Sequence, residues 1–413
     1  MLKGYYRRAK SIVADYRDAQ RTVKEQFASS QTKKFLAQYA HLLNSTQVDN
    51  STVLYESYWG RGVVDNPYAI FLYLLDNPSY SHLQHVWSIS DLESDDPFLE
   101  QLLTRPNVRI VETGSNEYLK VLATAKYLVN NVTFPSYFVK RTEQIYINTW
   151  HGTPLKSMGY DMTNGATESA NVIRNFLGAD YLLSANPTMT DMYLKSFKLE
   201  GIMPGTLIEE GYPRNDLLLQ HNREQVISKL QAVGVNIQSN KKIILYAPTW
   251  RKSSNNATVV NTDELLGFKH SLEHALGDDQ FQILIKPHQF VYNALKNQKG
   301  YKGVLIPSTL DANEVLSITD ILVSDYSSIF VDYLALGRPI IFYITDAKNY
   351  AKSRGLSFDV SKLPGPCSDC LDTIAEYIKD IDRTTKQFSS QYAAAKEAYC
   401  CHDDGHATQR IAV

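Results

Sequence analysis

The sequence predicts an α/β protein with two doubly wound domains, each built on a parallel sheet, facing each other across a cleft. Three observations lead to this fold class. The chain has 413 residues, more than one domain usually contains. Short β-branched and aromatic runs alternate with helical stretches, as in parallel sheets with crossover helices. The alternation occurs twice, on either side of a connector, Gly211–Asp216, that contains glycine and proline.

The first half has the spacing of successive βαβ units and is predicted to form a domain over residues 46–220. Proline falls only in the first turn of its helices, where it is tolerated. The predicted strands are Val53–Tyr55, His85–Ile89, Val108–Val111, Tyr127–Asn130 and Ile145–Thr149, and the predicted helices are Pro67–Leu75, Pro97–Leu103 and Asn116–Ala125.

The second half repeats the scheme and is predicted to form a domain over residues 221–413. A helix that begins near Ser328 is expected to run through Leu336. The other predicted elements are strands Lys242–Tyr246, Phe281–Lys286, Val304–Pro307, Ile321–Ser324 and Pro339–Tyr343 and helices Asp263–Leu276 and Ala312–Ser317.

Composition places the chain among ordinary soluble globular proteins. Hydrophobic residues make up 44%, charged residues 21%, and the formal net charge is −2. The longest apolar runs fall well short of the roughly 18–20 residues that span a bilayer. Met1–Lys10 lacks the apolar core of a secretory signal. The sequence therefore predicts a cytosolic protein with no membrane-spanning helix.

The leading segment, residues 1–45, differs in charge from the rest. Residues 1–40 carry nine Lys and Arg side chains against three acidic ones, a net charge of +6, so the remaining 373 residues sum to −8. A basic helix with an aromatic face is typical of segments that lie on anionic membranes. A solvated helix that packs one face on the protein is the alternative. The face recurs at helical spacing in Leu2, Tyr5, Tyr6, Ala9, Ile12, Val13 and Tyr16.

The cysteines all lie near the end of the chain, at Cys367, Cys370, Cys400 and Cys401. The Cys367-Ser-Asp-Cys370 spacing is compatible with a zinc or redox pair. A zinc site needs four ligands and a redox pair needs a βαβ setting at a helix start, so surface thiols in a reducing compartment are favoured.

Two histidines are candidate catalytic residues. His151 lies in NTWHGTPLK directly after an apolar strand, and His288 follows strand Phe281–Lys286 after a proline. A histidine at such a strand end titrates near neutrality and can remove a proton from a hydroxyl. One histidine from each domain suits a reaction in which one accepts a proton and the other neutralises phosphate charge. A structural role is the alternative for each.

Two further strand ends carry groups that bind phosphate. In SDYSS, Ser327 and Ser328 present hydroxyls and amide N–H groups at a helix start, although Ser and Asp are also ordinary N-caps. In YAPTWRK, Arg251 and Lys252 can clamp a diphosphate or lie solvated on the surface. Neither G-x-x-x-x-G-K-[ST] nor G-x-G-x-x-G occurs, which argues against Walker and dinucleotide sites.

These motifs together resemble the CDP-glycerol glycerophosphotransferase family, which includes the teichoic acid primases and polymerases and related capsule enzymes. The resemblance rests on several long motifs in the same order and runs from about residue 50 to 413. The motifs are TWHGTPLK, GYPRNDLL, YAPTWR, Lys286-Pro-His288, and SDYSS followed by DYLALGRPIIFY.

The resemblance implies a GT-B-like architecture of two Rossmann-like domains. It implies transfer of glycerol or ribitol phosphate from CDP-glycerol or CDP-ribitol to a hydroxyl of a lipid-linked teichoic acid or capsule-type acceptor, with release of CMP. It also implies a peripheral enzyme at the cytoplasmic face of a bacterial membrane. No cofactor, metal or nucleic acid is expected, because cations and helix amides can neutralise the phosphates.

The same resemblance assigns roles to individual residues. His151 becomes the general base and His288 the partner of the donor phosphate. The donor-binding residues are Thr249, Arg251, Lys252, Lys286, Asp325, Ser327 and Ser328, with Asp325 either capping the helix or meeting the donor. The acceptor-side residues are Asp65, Gly152, Thr153 and Lys156.

Two other classes of function remain open at this point. A GT-B nucleotide-sugar glycosyltransferase or an epimerase of the same shape would also explain two such domains and a diphosphate site. A membrane scaffold would explain the basic helix but has no use for polar motifs at strand ends. Release of free CMP distinguishes the phosphotransferase from both.

Overall fold

The computed structural model describes residues 30–92, 97–220, 222–249, 262–277, 280–287, 289–296, 298, 300–345 and 362–412. In these ranges two separate parallel sheets, each flanked by helices, form an α/β fold. We call the first sheet with its helices the first lobe and the second sheet with its helices the second lobe. The predicted fold class is confirmed.

The first sheet has seven strands in the order β3-β2-β1-β4-β5-β6-β7, all paired in parallel. Both faces are covered, as parallel sheets require. Leu54 packs into the apolar core on one face, and Val53 and Tyr55 pack into the core on the other. The strands are β1 (Asp49–Glu56), β2 (Gln84–Ile89), β3 (Val108–Glu112), β4 (Ala125–Asn130), β5 (Ile145–Asn148), β6 (Tyr181–Ser184) and β7 (Thr206–Glu209).

Two helices of the first lobe begin at side-chain caps. The Ser115 hydroxyl accepts a hydrogen bond from the Tyr118 N–H at 3.1 Å, and the Asn186 side chain accepts one from the Met189 N–H at 3.0 Å. The helices are α1 (Ser30–Ser45), α2 (Asp65–Asp76), α3 (Pro97–Leu103), α4 (Asn116–Thr124), α5 (Gly165–Glu168), α6 (Ala170–Gly178) and α7 (Pro187–Asp191), the last continued by a π-helical turn, Met192–Ser196.

Helix α1 is the described part of the basic leading segment, and it packs on the first lobe. Tyr39 is buried in the same core as Leu54, and its hydroxyl donates to the Val139 carbonyl at 3.0 Å. Lys33, Lys34 and Leu36 lie on the exposed face. The prediction for residues 1–29 lies outside the described residues.

The second sheet has the order β12-β11-β10-β8-β9, again all parallel. Its strands are β8 (Lys242–Ala247), β9 (Phe281–Ile285), β10 (Ile321–Ser324), β11 (Ile340–Tyr343) and β12 (Cys367–Ser368). The helices from the connector onward are α8 (Pro213–Gln220), α9 (Arg223–Ala232), α10 (Thr262–Leu276), α11 (Gln289–Leu295), α12 (Ala312–Ile318), α13 (Ile329–Tyr333), α14 (Leu371–Lys379), α15 (Ile381–Gln387), α16 (Ser389–Tyr399) and α17 (Ala407–Ala412).

The connector between the lobes is a buried helix. Helix α8 begins at Pro213 and packs against α2 of the first lobe and α12 of the second. The Asp216 carboxylate accepts from the main-chain N–H groups of Ala407 and Thr408, so the end of the chain returns to this helix. The domain boundary at residue 220 stays a prediction.

Three details differ from the sequence predictions. The predicted strand Val304–Pro307 is wrong: only an isolated bridge joins Leu305 to Ile285, because the N–H groups of Val304 and Leu305 bond back to the Tyr301 carbonyl in a turn. The helix after Ser328 tightens to a 3₁₀ turn at Leu334–Leu336. Helix α6 and strands β6 and β7 were not predicted.

Among the described residues, no helix combines the length and hydrophobicity needed to cross a membrane.

Candidate active site

A cleft of about 580 Å³ lies where the two lobes face each other. In each sheet the strand order reverses between two neighbouring strands, β1 and β4 in the first lobe and β8 and β10 in the second. Ligands of open α/β sheets bind at the carboxyl ends of such strands. The carboxyl edges of the two sheets both face the cleft. Seven of the predicted site residues line it: Asp65, His151, Lys156, Thr249, Lys286, Ser327 and Ser328.

His151 follows β5 in a turn that fixes its ring. The ring Nδ1 lies 2.9 Å from the Asn131 carbonyl oxygen. A carbonyl oxygen only accepts, so Nδ1 of the neutral ring carries the proton and Nε2 carries the lone pair. Burial lowers the pKa of His151 below its ordinary value, and the nearby cation Arg214 lowers it further. The hydrogen bond to Asn131 and the charge of Asp65 partly oppose this shift. The neutral ring is therefore a base at neutral pH.

Two aromatic rings hold His151 in place. The Trp150 ring centroid lies 4.2 Å from that of His151, and the Tyr58 ring meets it edge-on at 5.7 Å. Trp150 and Tyr58 both have positive φ angles, +51° and +48°, which non-glycine residues rarely adopt. Strained backbone of this kind persists only when the surroundings fix it, and it clusters at functional sites.

Arg214 is a site residue that the sequence reasoning did not identify. Its buried guanidinium donates through Nη1 to Asp65 Oδ2 at 2.7 Å and to the His151 carbonyl at 2.9 Å. Through Nη2 it pairs with Asp332 of the second lobe at 2.8 Å. One side chain thus joins both lobes and the turn that carries His151. The signal was present in the connector motif GYPRND, but nothing in it showed that two distant carboxylates converge on the arginine.

Asp65 was predicted on the acceptor side, and the structure engages both of its oxygens within the protein. Oδ2 accepts from Arg214 and from the Tyr58 hydroxyl at 2.6 Å, and Oδ1 accepts from the Asn66 N–H at 2.6 Å. Burial alone would raise the pKa of Asp65, but Arg214 and these hydrogen bonds lower it below its ordinary value. Its N–H donates to Asp311 Oδ2 at 2.6 Å, a second link between the lobes. The geometry is that of a fixed anion.

The opposite wall is built from the ends of β8 and β10. Asp325 is buried, and its Oδ1 accepts from the Thr249 N–H at 2.8 Å and from the Thr249 hydroxyl at 2.6 Å. Asp325 therefore lies behind the cleft surface and positions Thr249. Ser327 and Ser328 line the cleft directly, and the Ser328 side chain makes no capping hydrogen bond to α13.

Lys286 is a half-buried cation at the end of β9. Its Nζ donates to the Leu310 carbonyl at 3.1 Å. Burial lowers the pKa of Lys286 to about 8, partly opposed by the charge of Asp311. An anion in the cleft would favour its charged form.

The remaining predicted residues lie in different settings. Gly152 lies between the lobes: a Cβ there would be 3.1 Å from Arg214 Nη2 and 3.7 Å from Ser328 Oγ. The Thr153 hydroxyl is buried and accepts from the Asn186 side chain at 2.8 Å. The predictions for His288, Arg251 and Lys252 fall outside the described residues.

Among the residues that the structure describes, no group of three or more His, Cys, Asp or Glu side chains could hold a metal ion. Cys367, Cys370 and Cys401 are exposed free thiols, and Cys400 is a buried one.

Comparison with known proteins covers nearly the whole chain. The family model for CDP-glycerol:poly(glycerophosphate) glycerophosphotransferases matches residues 37–413. The teichoic acid poly(glycerol phosphate) polymerase of Bacillus spizizenii is 33% identical over 87% of this chain and 90% of its own length. The teichoic acid glycerol-phosphate transferase of Staphylococcus aureus is 31% identical over 89% of this chain and 93% of its own length. The chain spans 48% of the length of the corresponding Bacillus subtilis polymerase.

A solved structure of the wall teichoic acid polymerase TagF, from a variant soaked with CDPG, has the same architecture. It superposes with a TM-score of 0.76 at 28% identity, covering 97% of this chain and 96% of the other. The resemblance drawn from the motifs is confirmed, and with it the GT-B-like fold. The chain is a transferase that belongs to the CDP-glycerol:poly(glycerophosphate) glycerophosphotransferase family.

Proposed function

We propose that the chain transfers glycerol phosphate from CDP-glycerol to a hydroxyl of a lipid-linked teichoic acid acceptor and releases CMP. The acceptor oxygen forms a bond to the phosphorus that carries the glycerol. The bond from that phosphorus to the bridging oxygen breaks, and CMP leaves with the electron pair. The family membership supports the donor and the reaction; ribitol phosphate is the alternative cargo.

The single observation that carries this proposal is the fixed tautomer of His151 at the cleft. Nδ1 is committed to the Asn131 carbonyl, so Nε2 is the acceptor for the proton of the attacking hydroxyl. Trp150 and Tyr58 fix the plane of the ring. Fixing one nitrogen in place lowers the cost of reaching the transition state, because the base needs no reorientation.

The second lobe is proposed to hold the donor. Ser327 and Ser328 offer hydroxyl groups that can donate, and Lys286 offers a cation, on the wall opposite His151. Thr249 lines the same wall, with its hydroxyl hydrogen donated to Asp325. Phosphoryl transfer depends mainly on positioning and on neutralising the oxygens around phosphorus. In this arrangement the donor phosphates lie between hydroxyl donors and a cation, with the acceptor on the first lobe. The role proposed for Asp325 is to position Thr249.

His151→Ala tests the proposal. We expect CMP release from CDP-glycerol to fall on the order of 10²–10⁴-fold, because general-base catalysis contributes about that much. CDP-glycerol binding, measured by calorimetry, should stay within a few-fold of the wild type. His82→Ala, an exposed histidine of the same lobe, is the matched control and should retain full turnover. Near wild-type turnover of His151→Ala would exclude the base assignment.

The donor itself is tested in the same assay. CDP-glycerol, CDP-ribitol and common UDP-sugars are offered separately, with CMP, UDP and UMP measured. We expect CMP from CDP-glycerol and no nucleotide from UDP-sugars. UDP release would instead support the glycosyltransferase alternative.

We also propose peripheral contact with the cytoplasmic face of an anionic membrane. Helix α1 packs its inner face on the first lobe and exposes Lys33, Lys34 and Leu36 on the other. The net charge of +6 over residues 1–40 favours attraction to anionic lipids. Sedimentation with phosphatidylglycerol vesicles tests this: Lys33→Glu with Lys34→Glu should weaken binding, and unchanged binding would exclude α1 as the contact.

A further inference from the structure

A tight turn after β1 presents an aromatic ring and a cation at the rim of the cleft. We call residues Tyr58–Arg61 the rim turn. Tyr58 and Arg61 line the cleft, and the Trp59 side chain is 47% exposed. The Arg61 guanidinium lies over the Trp59 ring, 5.4 Å from its centroid. Neither Trp59 nor Arg61 has a part in the proposed proton transfer or in donor binding.

The rim turn is fixed by its surroundings. Tyr58, Trp59 and Gly60 have consecutive positive φ angles of +48°, +59° and +82°. The Tyr58 N–H donates to Asn131 Oδ1 at 2.9 Å, and the Trp59 indole N–H donates to the Thr133 hydroxyl at 3.1 Å. A side chain on Gly60 would collide with Thr113 and with the main chain of Ser90. These contacts therefore fix the conformation in which the Trp59 indole is exposed.

Asn131 and Tyr58 also connect the rim turn to the turn that carries His151. Asn131 binds the Tyr58 N–H through its side chain and His151 Nδ1 through its carbonyl oxygen. The Tyr58 ring also touches that of His151. The position of Arg61 is thus set relative to the nitrogen that is proposed to take the proton of the acceptor hydroxyl.

We infer that the rim turn binds the acceptor chain, with Arg61 meeting the phosphodiester next to the terminal alditol and Trp59 holding Arg61 in place. This inference rests on the proposed function. An alditol phosphate chain whose terminal hydroxyl lies at His151 must leave the cleft along the first lobe, and its first phosphodiester follows after one alditol unit. Arginine binds phosphate through parallel N–H donors, and stacking on an indole orients its plane.

Two other cations of the cleft fit this role less well. Arg214 is buried between Asp65 and Asp332, which neutralise it. Lys286 belongs to the opposite wall with the proposed donor groups. Lys156 shares the first-lobe wall with Arg61, and it was already predicted on the acceptor side.

Steady-state kinetics on Arg61→Ala test the inference. The acceptor probe is a short-chain alkyl glycerol phosphate. We expect its KM to rise on the order of tenfold, since a charge-assisted hydrogen bond is lost. The KM for CDP-glycerol and kcat should stay within about twofold, because the base and donor wall are intact. Trp59→Ala should raise the acceptor KM less, and Trp59→Phe less again.

Arg109→Ala is the matched control. Arg109 is an exposed arginine of the same lobe that pairs with Glu117 at 3.2 Å, away from the cleft. Its loss should change neither KM. The acceptor KM of the wild type should also rise with salt more steeply than that of Arg61→Ala. An unchanged acceptor KM in Arg61→Ala, or an equal rise in the KM for CDP-glycerol, would overturn the inference.

Equilibrium binding separates this inference from the proposed function. Calorimetry with the acceptor probe, without CDP-glycerol, compares wild type and Arg61→Ala directly. Weaker binding by Arg61→Ala supports the rim turn as the acceptor site even if the wild type releases no CMP. Equal binding excludes it even if the wild type is fully active.

Discussion

The two walls of the cleft differ in how their polar groups are used. On the first lobe, Asp65 and Arg214 are buried and pair with one another, and His151 has one ring nitrogen committed to the main chain. On the second lobe, Ser327 and Ser328 present hydroxyls to the cleft, and Thr249 is held by the buried Asp325 carboxylate. The first wall is therefore organised before any ligand arrives, and the second offers groups that a ligand can use.

This difference matches the two tasks of a phosphotransferase. A base must point at one proton, so its geometry has to be fixed by neighbours. A donor phosphate presents several oxygens, so a set of hydroxyls and a cation that retain capacity for the ligand is suitable. Substitutions in the first wall test its fixed network, and substitutions in the second test its capacity to bind the donor.

Removing Arg214 should have the largest effect on stability. Arg214→Met leaves Asp65 and Asp332 buried without their common partner, and breaking a buried pair in this way costs about 3–5 kcal/mol. We expect the free energy of unfolding, measured in urea, to fall by that amount. Turnover should fall as well, because Arg214 also holds the His151 carbonyl.

The control for that experiment is a surface arginine. Arg105→Ala removes an exposed pair with Asp76 at 3.8 Å and should change the free energy of unfolding by less than about 1 kcal/mol. If Arg214→Met unfolds at the same urea concentration as Arg105→Ala, the first wall is not held by this network.

Asp325 gives the corresponding test for the second wall. Asp325→Ala removes the acceptor for the Thr249 N–H and hydroxyl, so the KM for CDP-glycerol should rise roughly tenfold, equal to about 1.4 kcal/mol. The acceptor KM should not change. Asp325→Asn keeps an oxygen at this position and should restore part of the donor affinity.

A carboxylate at the opposite end of the same strand pair is the control. Asp320 accepts from the Ile243 N–H at 2.7 Å, remote from the cleft. Asp320→Ala should lower stability without raising the KM for CDP-glycerol. Equal KM effects of the two substitutions would mean that Asp325 acts only on the fold.

Some strands and site residues of the two walls could be predicted from the sequence, and others could not. Strands such as β1 and β10 contain runs of buried apolar residues, Val53–Tyr55 and Ile321–Val323, so the local pattern identifies them. The polar residues that follow such strands were identified at the same time. Helix α6 and strands β6 and β7 were missed. Strand β6 (YLLS) contains no β-branched residue, and no residue of β7 (TLIE) is fully buried, so both carry a weak strand pattern. His151, Ser327 and Ser328 follow strands directly, which is why sequence reasoning placed them at the cleft.

Arg214 and the buried role of Thr153 could not be predicted in this way. Their partners come from residues far away in the chain: Asp332 lies 118 positions beyond Arg214, and Asn186 lies 33 beyond Thr153. Pairing at such separations is decided by how the lobes dock, and no local spacing encodes it. Fixed networks between lobes are thus harder to predict than groups exposed at strand ends.

The smallest effect that we predict is a shift in pH dependence at Lys286. With a pKa of about 8, this lysine is charged below pH 8 and loses its charge as the pH rises through that value. If its charge neutralises the donor phosphate, kcat/KM for CDP-glycerol should decline above about pH 8. In Lys286→Arg the guanidinium stays charged, so the alkaline decline should move to higher pH while the rate near pH 7 stays within several-fold. An unchanged alkaline limb in Lys286→Arg would show that another group titrates there. It would also remove the role proposed for Lys286 in the described part of the second wall. A shift of the alkaline decline to higher pH would instead mean that the charge of Lys286 on the second wall sets the pH dependence of donor use, whereas the first wall supplies the fixed base.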